Sequence, residues 1–174
     1  MTSTRLEVWP LTAEAFAPFG RVIQKQGRRP EVINRGRTLK YAGLADIQAD
    51  DQGGKPVVHL YCSQPVDFPF RVEIMECHPL GSQTFMPLHN RPFLVIVAPP
   101  GGEPVTGSIR CFITDGRQGV HLAKGVWHHS QLSLGEPADY LVIERDGAGD
   151  NTVERRLRQA LTVEDLEPGA AQEA

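Results

Sequence analysis

The sequence predicts an all-β protein, a sandwich or small barrel with one or two short helices, and three observations predict it. Short stretches of period-two alternation recur along most of the chain, separated by turn residues. Glycine and proline are abundant, 17 and 14 among 174 residues, about 18% against an average near 12%, which favours tight turns over long helices. One run, Phe93–Ala98, is apolar at every position, as expected of a strand covered on both faces. The length fits a single domain, and 40% hydrophobic with 22% charged residues excludes a disordered chain.

Each element has its own signal. Arg5–Trp9 reads as a strand that alternates Leu6 and Val8 with polar positions. Thr12 stands where it can cap a brief helix over AEAFAPF, with Gly20 past its end and Pro18 limiting it to about two turns. Val22–Gln24 starts another strand, followed by the basic loop KQGRRP. Glu31–Asn34 leads into Arg35-Gly36 and then Leu39–Leu44, and DDQGGKP is a surface loop by composition. Val57–Cys62 and Phe70–His78 alternate with period two. Pro99-Pro100-Gly101-Gly102 ends the apolar strand, and Ile109–Ile113 meets the hairpin signal Asp115-Gly116. Val120–Leu122, Val126–His129 and Tyr140–Arg145 complete the set. Past Asn151, VERRLRQAL predicts a helix and EPGAAQEA a loose end. One domain is therefore expected over residues 1–155, with a C-terminal helix or loose tail over 156–174. Arg155, Arg156 and Arg158, flanked by Glu154 and Glu164, read as a solvated face.

The net charge of −3 lacks the basic footprint of a dedicated nucleic-acid binder. Cys62, Cys77 and Cys111 are odd in number and share no CxxC spacing, so neither a disulfide scaffold nor a structural zinc site is expected. Reduced thiols suit a cytoplasmic protein. The opening MTSTRLEVWPLT has no apolar core of a secretory signal, and no run is long enough to span a membrane. A soluble cytoplasmic protein with neither a nucleic-acid nor a membrane partner is the expectation.

The chemistry concentrates around histidine. In VEIMECH, period two puts Val72, Ile74, Glu76 and His78 on one face: two core residues, then a carboxylate and an imidazole facing the same interior. A buried carboxylate needs a cation, a metal or a donor network. A second cluster is Lys124-Gly125-Val126-Trp127-His128-His129. Adjacent strand residues point oppositely, so only one of the two histidines can face inward. His128 shares a face with Val126, and His129 shares the other with Trp127.

The spacing Glu76-x-His78, then Gln83, then Gly125-x-x-His128 resembles the two short motifs of cupins, whose side chains converge inside a small β-barrel or jelly roll and commonly bind a divalent metal. Glu76 stands where that pattern has its first His, and Gln83 where it has an acidic ligand. Gln is a neutral oxygen donor and binds a metal more weakly than a carboxylate. Longer stretches are more specific: ECHPLGSQTFMPL (76–88), RCFITDGRQGVHLAKGVWHH (110–129) and DYLVIERDGAGDN (139–151) are similar to the ureidoglycolate lyase family, as are LEVWPLTAEAFAPFGRVI and the segment from Ile33 to Gly36.

That resemblance implies cleavage of ureidoglycolate to glyoxylate and urea in allantoin (purine) nitrogen recovery, a divalent metal such as nickel, and a homodimer. Under it, Glu76, His78, Gln83 and His128 form the catalytic cluster, with His78, Gln83 and His128 as metal ligands. Glu76 or His128 takes the substrate's hydroxyl proton. Lys124 and, more weakly, Arg110 are candidate cations for the substrate carboxylate, and His129 is a further substrate contact. Asn34 and Arg35 close over the mouth or reach across a dimer. His121 is a minor candidate, and His59 and His89 are expected to be structural or surface residues. The competing readings are a non-catalytic cupin-like binding module, a metal-dependent isomerase or dioxygenase, and an ammonia-releasing ureidoglycolate hydrolase.

Overall fold

The alternating stretches become strands, and two of them set the plan. In this computed structural model, which describes residues 4–166, the elements follow in chain order. They are β1 (Thr4–Arg5), β2 (Val8–Pro10), α1 (Ala13–Phe16), β3 (Gly20–Ile23), β4 (Glu31–Ile33), β5 (Thr38–Lys40), β6 (Lys55–Ser63), β7 (Phe70–Cys77) and β8 (Gln83–Pro87). Next come β9 (Phe93–Ala98), β10 (Arg110–Ile113), β11 (Gly119–Leu122), β12 (Trp127–His128), β13 (Leu132–Ser133), β14 (Ala138–Asp146) and β15 (Val153–Val163). One sheet runs β1-β15-β7-β12-β9-β10-β2, with β13 also on β9; a second runs β3-β11-β8-β14-β6; β4 and β5 pair as a separate hairpin. This is the cupin-like all-β fold expected, with a curled large sheet facing a smaller one and a single α-helix among the described residues.

β9 is buried along its whole length because it divides two cores. Phe93, Val95 and Val97 face the smaller sheet and pack with Phe85, Val120, Leu122, Tyr140 and Val142. Leu94, Ile96 and Ala98 point the other way, into the curl of the large sheet, where Met75, Cys77, Trp127 and Leu161 meet them. The short helix is capped as expected, Thr12 Oγ1 accepting from the Ala15 N–H at 3.1 Å. Phe16 and Phe19 carry it onto Phe112.

Two expectations are corrected. VERRLRQAL is not a helix but most of β15, paired with both β7 and β1. A four-residue interval such as Leu157 to Leu161 lies on one face of a helix but, being even, also on one face of a strand. The expected domain end at 155 thus falls inside a strand of the large sheet; EPGAAQEA lies outside the described residues. Second, Val72 and Ile74 do not line up with Glu76 and His78. Val72, Met75 and Cys77 enter the core of the curl, while Ile74 is 39% exposed. The β7–β15 pairing slips between Arg156 and Leu161, and that irregularity resets the phase of β7.

His121 shows what burial does to a histidine here. Val120 and Leu122 take the between-sheet side, so His121 points outward, where its Nδ1 meets Thr84 Oγ1 at 2.8 Å. Burial pushes its pKa down, as it does for His89 and His129.

Two measurements check this reading of the fold. Ile96→Ala should cost roughly 2–5 kcal/mol in urea unfolding, the range for truncating a fully buried aliphatic side chain. Histidines depressed in the folded state leave the unfolded chain with more bound protons below a pH of about 6.5, so stability should fall as pH drops through that value. His121→Gln should make that decline shallower in chemical melts between neutral and mildly acid pH.

Candidate active site

β12 is two residues long, yet it decides where the site lies. It sits between β7 and β9, with His128 opposite Glu76 on one side and Val97 on the other. Directly opposed residues share a sheet face, and Val97 belongs to the between-sheet core. Glu76 and His128 therefore look into the space between the sheets. His78, just past the end of β7, joins them with its ring centroid 5.1 Å from that of His128. The histidine pair splits as alternation requires: His128 is 1% exposed on the inner side. His129 turns to the other face, edge-on to Phe70, with Nδ1 toward Ser130.

Backbone carbonyls fix both inner rings. His78 Nδ1 lies 2.7 Å from the Asn151 carbonyl and His128 Nδ1 lies 3.1 Å from that of Val126. A carbonyl only accepts, so Nδ1 carries the proton in each ring and Nε2 presents a lone pair. Both Nε2 atoms are buried without a hydrogen-bond partner. Glu76 Oε1 stands 3.4 Å from His128 Nε2. Glu76 is ionised at neutral pH; a proton on His128 Nε2 would hold its carboxyl further below the usual range, with burial opposing. Three acceptors thus face one another, their ligand atoms all within 4.8 Å, with no donor between them.

The smaller sheet supplies the opposite wall. Gln83 pairs with Leu122, Tyr61 with Tyr140 and His59 with Val142, and those three partners all point inward. Glu144 gathers the group: it accepts from Gln83 Nε2 at 2.6 Å and from the Tyr61 hydroxyl at 3.2 Å, with His59 Nε2 at 3.3 Å. Burial and Glu144 push the Tyr61 phenol up to about 12, and the Glu76 charge adds to the effect. Gln83 Oε1 is buried and unpaired. Such an orphan acceptor costs about 1–3 kcal/mol, and among the described residues three of six orphaned side-chain atoms belong to His78, Gln83 and His128.

The donor set suits a divalent ion of intermediate softness: two imidazole nitrogens with lone pairs exposed, one ionised carboxylate, and second contacts that orient the rings. Ligands of one ion at about 2.1 Å lie roughly 3–4 Å apart, so the triad's spacing is compatible with one ion.

The family model for ureidoglycolate lyase matches residues 3–164. The chain belongs to the ureidoglycolate lyase family. Among its relatives, the ureidoglycolate lyase of Burkholderia mallei is 48% identical over 160 residues, covering 92% of this chain and 94% of that protein. The ureidoglycolate lyase of Pseudomonas paraeruginosa is 44% identical over 146 residues, 84% of this chain and 86% of its own. The one from Pseudomonas fluorescens is 40% identical over 154 residues, 88% and 92%.

Of the side chains that the resemblance to ureidoglycolate lyase brought forward, Glu76, His78 and His128 converge, and Gln83 faces the between-sheet space from the other sheet. The rest stand apart. Lys124 Nζ is held by Asp51 Oδ2 at 2.6 Å, and Arg110 is tied to the carbonyls of Gly107 and Ile109. His129 lies on the far face of its strand. Asn34 and Arg35 form the positive-φ turn of the β4–β5 hairpin, outside both sheets. His59, expected to be a structural or surface residue, is exposed and lies beside Glu144, and Tyr61, Glu144 and Asn151 were missed. For Tyr61 and Glu144 the signal was present in the alternation: Val57, His59 and Tyr61 share one face of β6, and Tyr140, Val142 and Glu144 one face of β14.

Calorimetric titration with Ni²⁺ or Zn²⁺ tests the triad directly. His78→Ala and His128→Ala should each weaken binding at least tenfold, while His121→Gln leaves it unchanged.

Proposed function

We propose that the protein cleaves ureidoglycolate to glyoxylate and urea, in the cytoplasm and within allantoin nitrogen recovery. The observation that carries this reading is the convergence of Glu76, His78 and His128 opposite the unpaired Gln83 oxygen, in a chain of this family. Ureidoglycolate is a carbinolamide: one carbon bears hydroxyl, ureido and carboxylate groups. Taking the hydroxyl proton while the departing ureido nitrogen gains one collapses it to an aldehyde and urea.

The residues map onto that need. Glu76, ionised at neutral pH, accepts the hydroxyl proton as the C–N bond breaks, a role open to His128 only while its Nε2 holds no ion; a positioned base of this kind contributes about 10²–10⁴ in rate. The carbonyls of Asn151 and Val126 keep Nε2 of each histidine directed at the hollow. Glu76, His78 and His128 would hold a divalent ion, nickel by family resemblance, which when bound supplies positive charge to anchor the anionic substrate. The β4–β5 hairpin, with Val32 and Leu39 63% and 56% exposed, supports a homodimer in which this arm meets a second copy.

His78→Ala and His128→Ala should each lose at least a hundredfold in kcat/KM while remaining folded by circular dichroism. Urea and ammonia measured side by side from the same incubation decide the reaction: urea and glyoxylate should appear in equal amounts. Ammonia without urea would replace lyase by hydrolase chemistry.

A further inference from the structure

The walls of the hollow differ in chemistry. The large sheet presents two imidazole lone pairs and a carboxylate, a set that gathers a cation and, through it, anionic oxygen. The smaller sheet presents Gln83, 4% exposed, whose amide has no freedom of assignment. Its Nε2 is 2.6 Å from Glu144 Oε2, and a carboxylate only accepts, so the NH₂ end must face Glu144. The carbonyl end is thereby turned away, buried and unpaired. Glu144 is itself fixed by the Tyr61 hydroxyl and His59 at its other oxygen. What this wall lacks is an N–H donor.

Resting on the reading of the reaction given above, we propose that Gln83 Oε1 accepts an N–H of the terminal NH₂ of the substrate's ureido group, and that Glu144 is the positioning residue that turns the Gln83 carbonyl toward it. The substrate then lies across the hollow, its carboxylate and hydroxyl toward Glu76, His78 and His128 and its urea end toward Gln83. Selectivity for a ureido over a simple amide resides in the smaller sheet, separate from the ion-holding triad.

Two stable probes test this by direct binding, measured calorimetrically on the purified protein loaded with Ni²⁺. N-carbamoylglycine is the substrate without its hydroxyl; N-acetylglycine replaces the terminal NH₂ by methyl. The wild type should bind N-carbamoylglycine at least tenfold more tightly. Gln83→Met, which keeps the volume and removes the acceptor, and Glu144→Gln, which frees the amide to flip, should reduce that preference below threefold while leaving N-acetylglycine affinity within twofold. Both variants should bind Ni²⁺ within threefold of wild type. A wild type indifferent to the two probes overturns the proposal without recourse to any variant. So does a tenfold loss of Ni²⁺ affinity in Gln83→Met, which would make the amide oxygen an ion ligand. If the preference holds but wild-type protein releases no urea from ureidoglycolate, the subsite stands and the proposed reaction falls.

Discussion

Three acceptors brought together with no donor among them are the constraint on which the site is organised. Two imidazole Nε2 atoms and the half-buried Glu76 carboxylate repel or lack partners where water is largely excluded, and the fold holds them there nonetheless. It does so by committing the other ring nitrogens: the carbonyls of Asn151 and Val126 take the Nδ1 protons, leaving each lone pair aimed inward. The arrangement is stable only because strong pairing surrounds it. β12 is held on both edges by β7 and β9, and Trp127 Nε1 donates to the Gly101 carbonyl at 3.1 Å.

Support for the ring of His78 reaches back to a buried arginine. Arg145, 6% exposed, donates from Nε and Nη2 to the carbonyl of Asp51 and from Nη2 to that of Ala148. Gly54 and Gly81 leave the room it occupies, since a Cβ at either would come within 2.6 Å of its side chain. The loop that follows Arg145 delivers Asn151, whose side chain also accepts from the Leu80 N–H at 2.9 Å. The Asp51 loop, pinned by the same guanidinium, holds Lys124. A residue far from the reacting groups thus organises two loops that border them, and Lys124, expected to meet substrate, is tied to this scaffold through Asp51.

The strands of this fold were legible because their signal is local. Phe93–Ala98 announces its double burial residue by residue, and alternation alone separated His128 from His129. Glu76, His78 and Gln83 were found by motif spacing. What escaped depends on pairing between distant strands. Nothing near Glu144 in sequence reveals that Gln83, 61 positions away, reaches it, or that the exposed His59 on the edge strand stands beside it. Lys124 and Arg110 attracted notice by charge, yet their partners Asp51 and Gly107 are set by loop geometry. The β15 error has the same origin: a spacing shared by helix and strand is resolved only by a neighbour, here β7.

One backbone contact reaches further than its size. The Gly125 N–H donates to the His78 carbonyl at 2.9 Å, from a residue at φ 78°, a conformation that glycine adopts freely. This clasp joins the two loops that carry the histidines, so their separation is written into the main chain rather than imposed by whatever binds between them. An ion bound there would enter a cradle built beforehand.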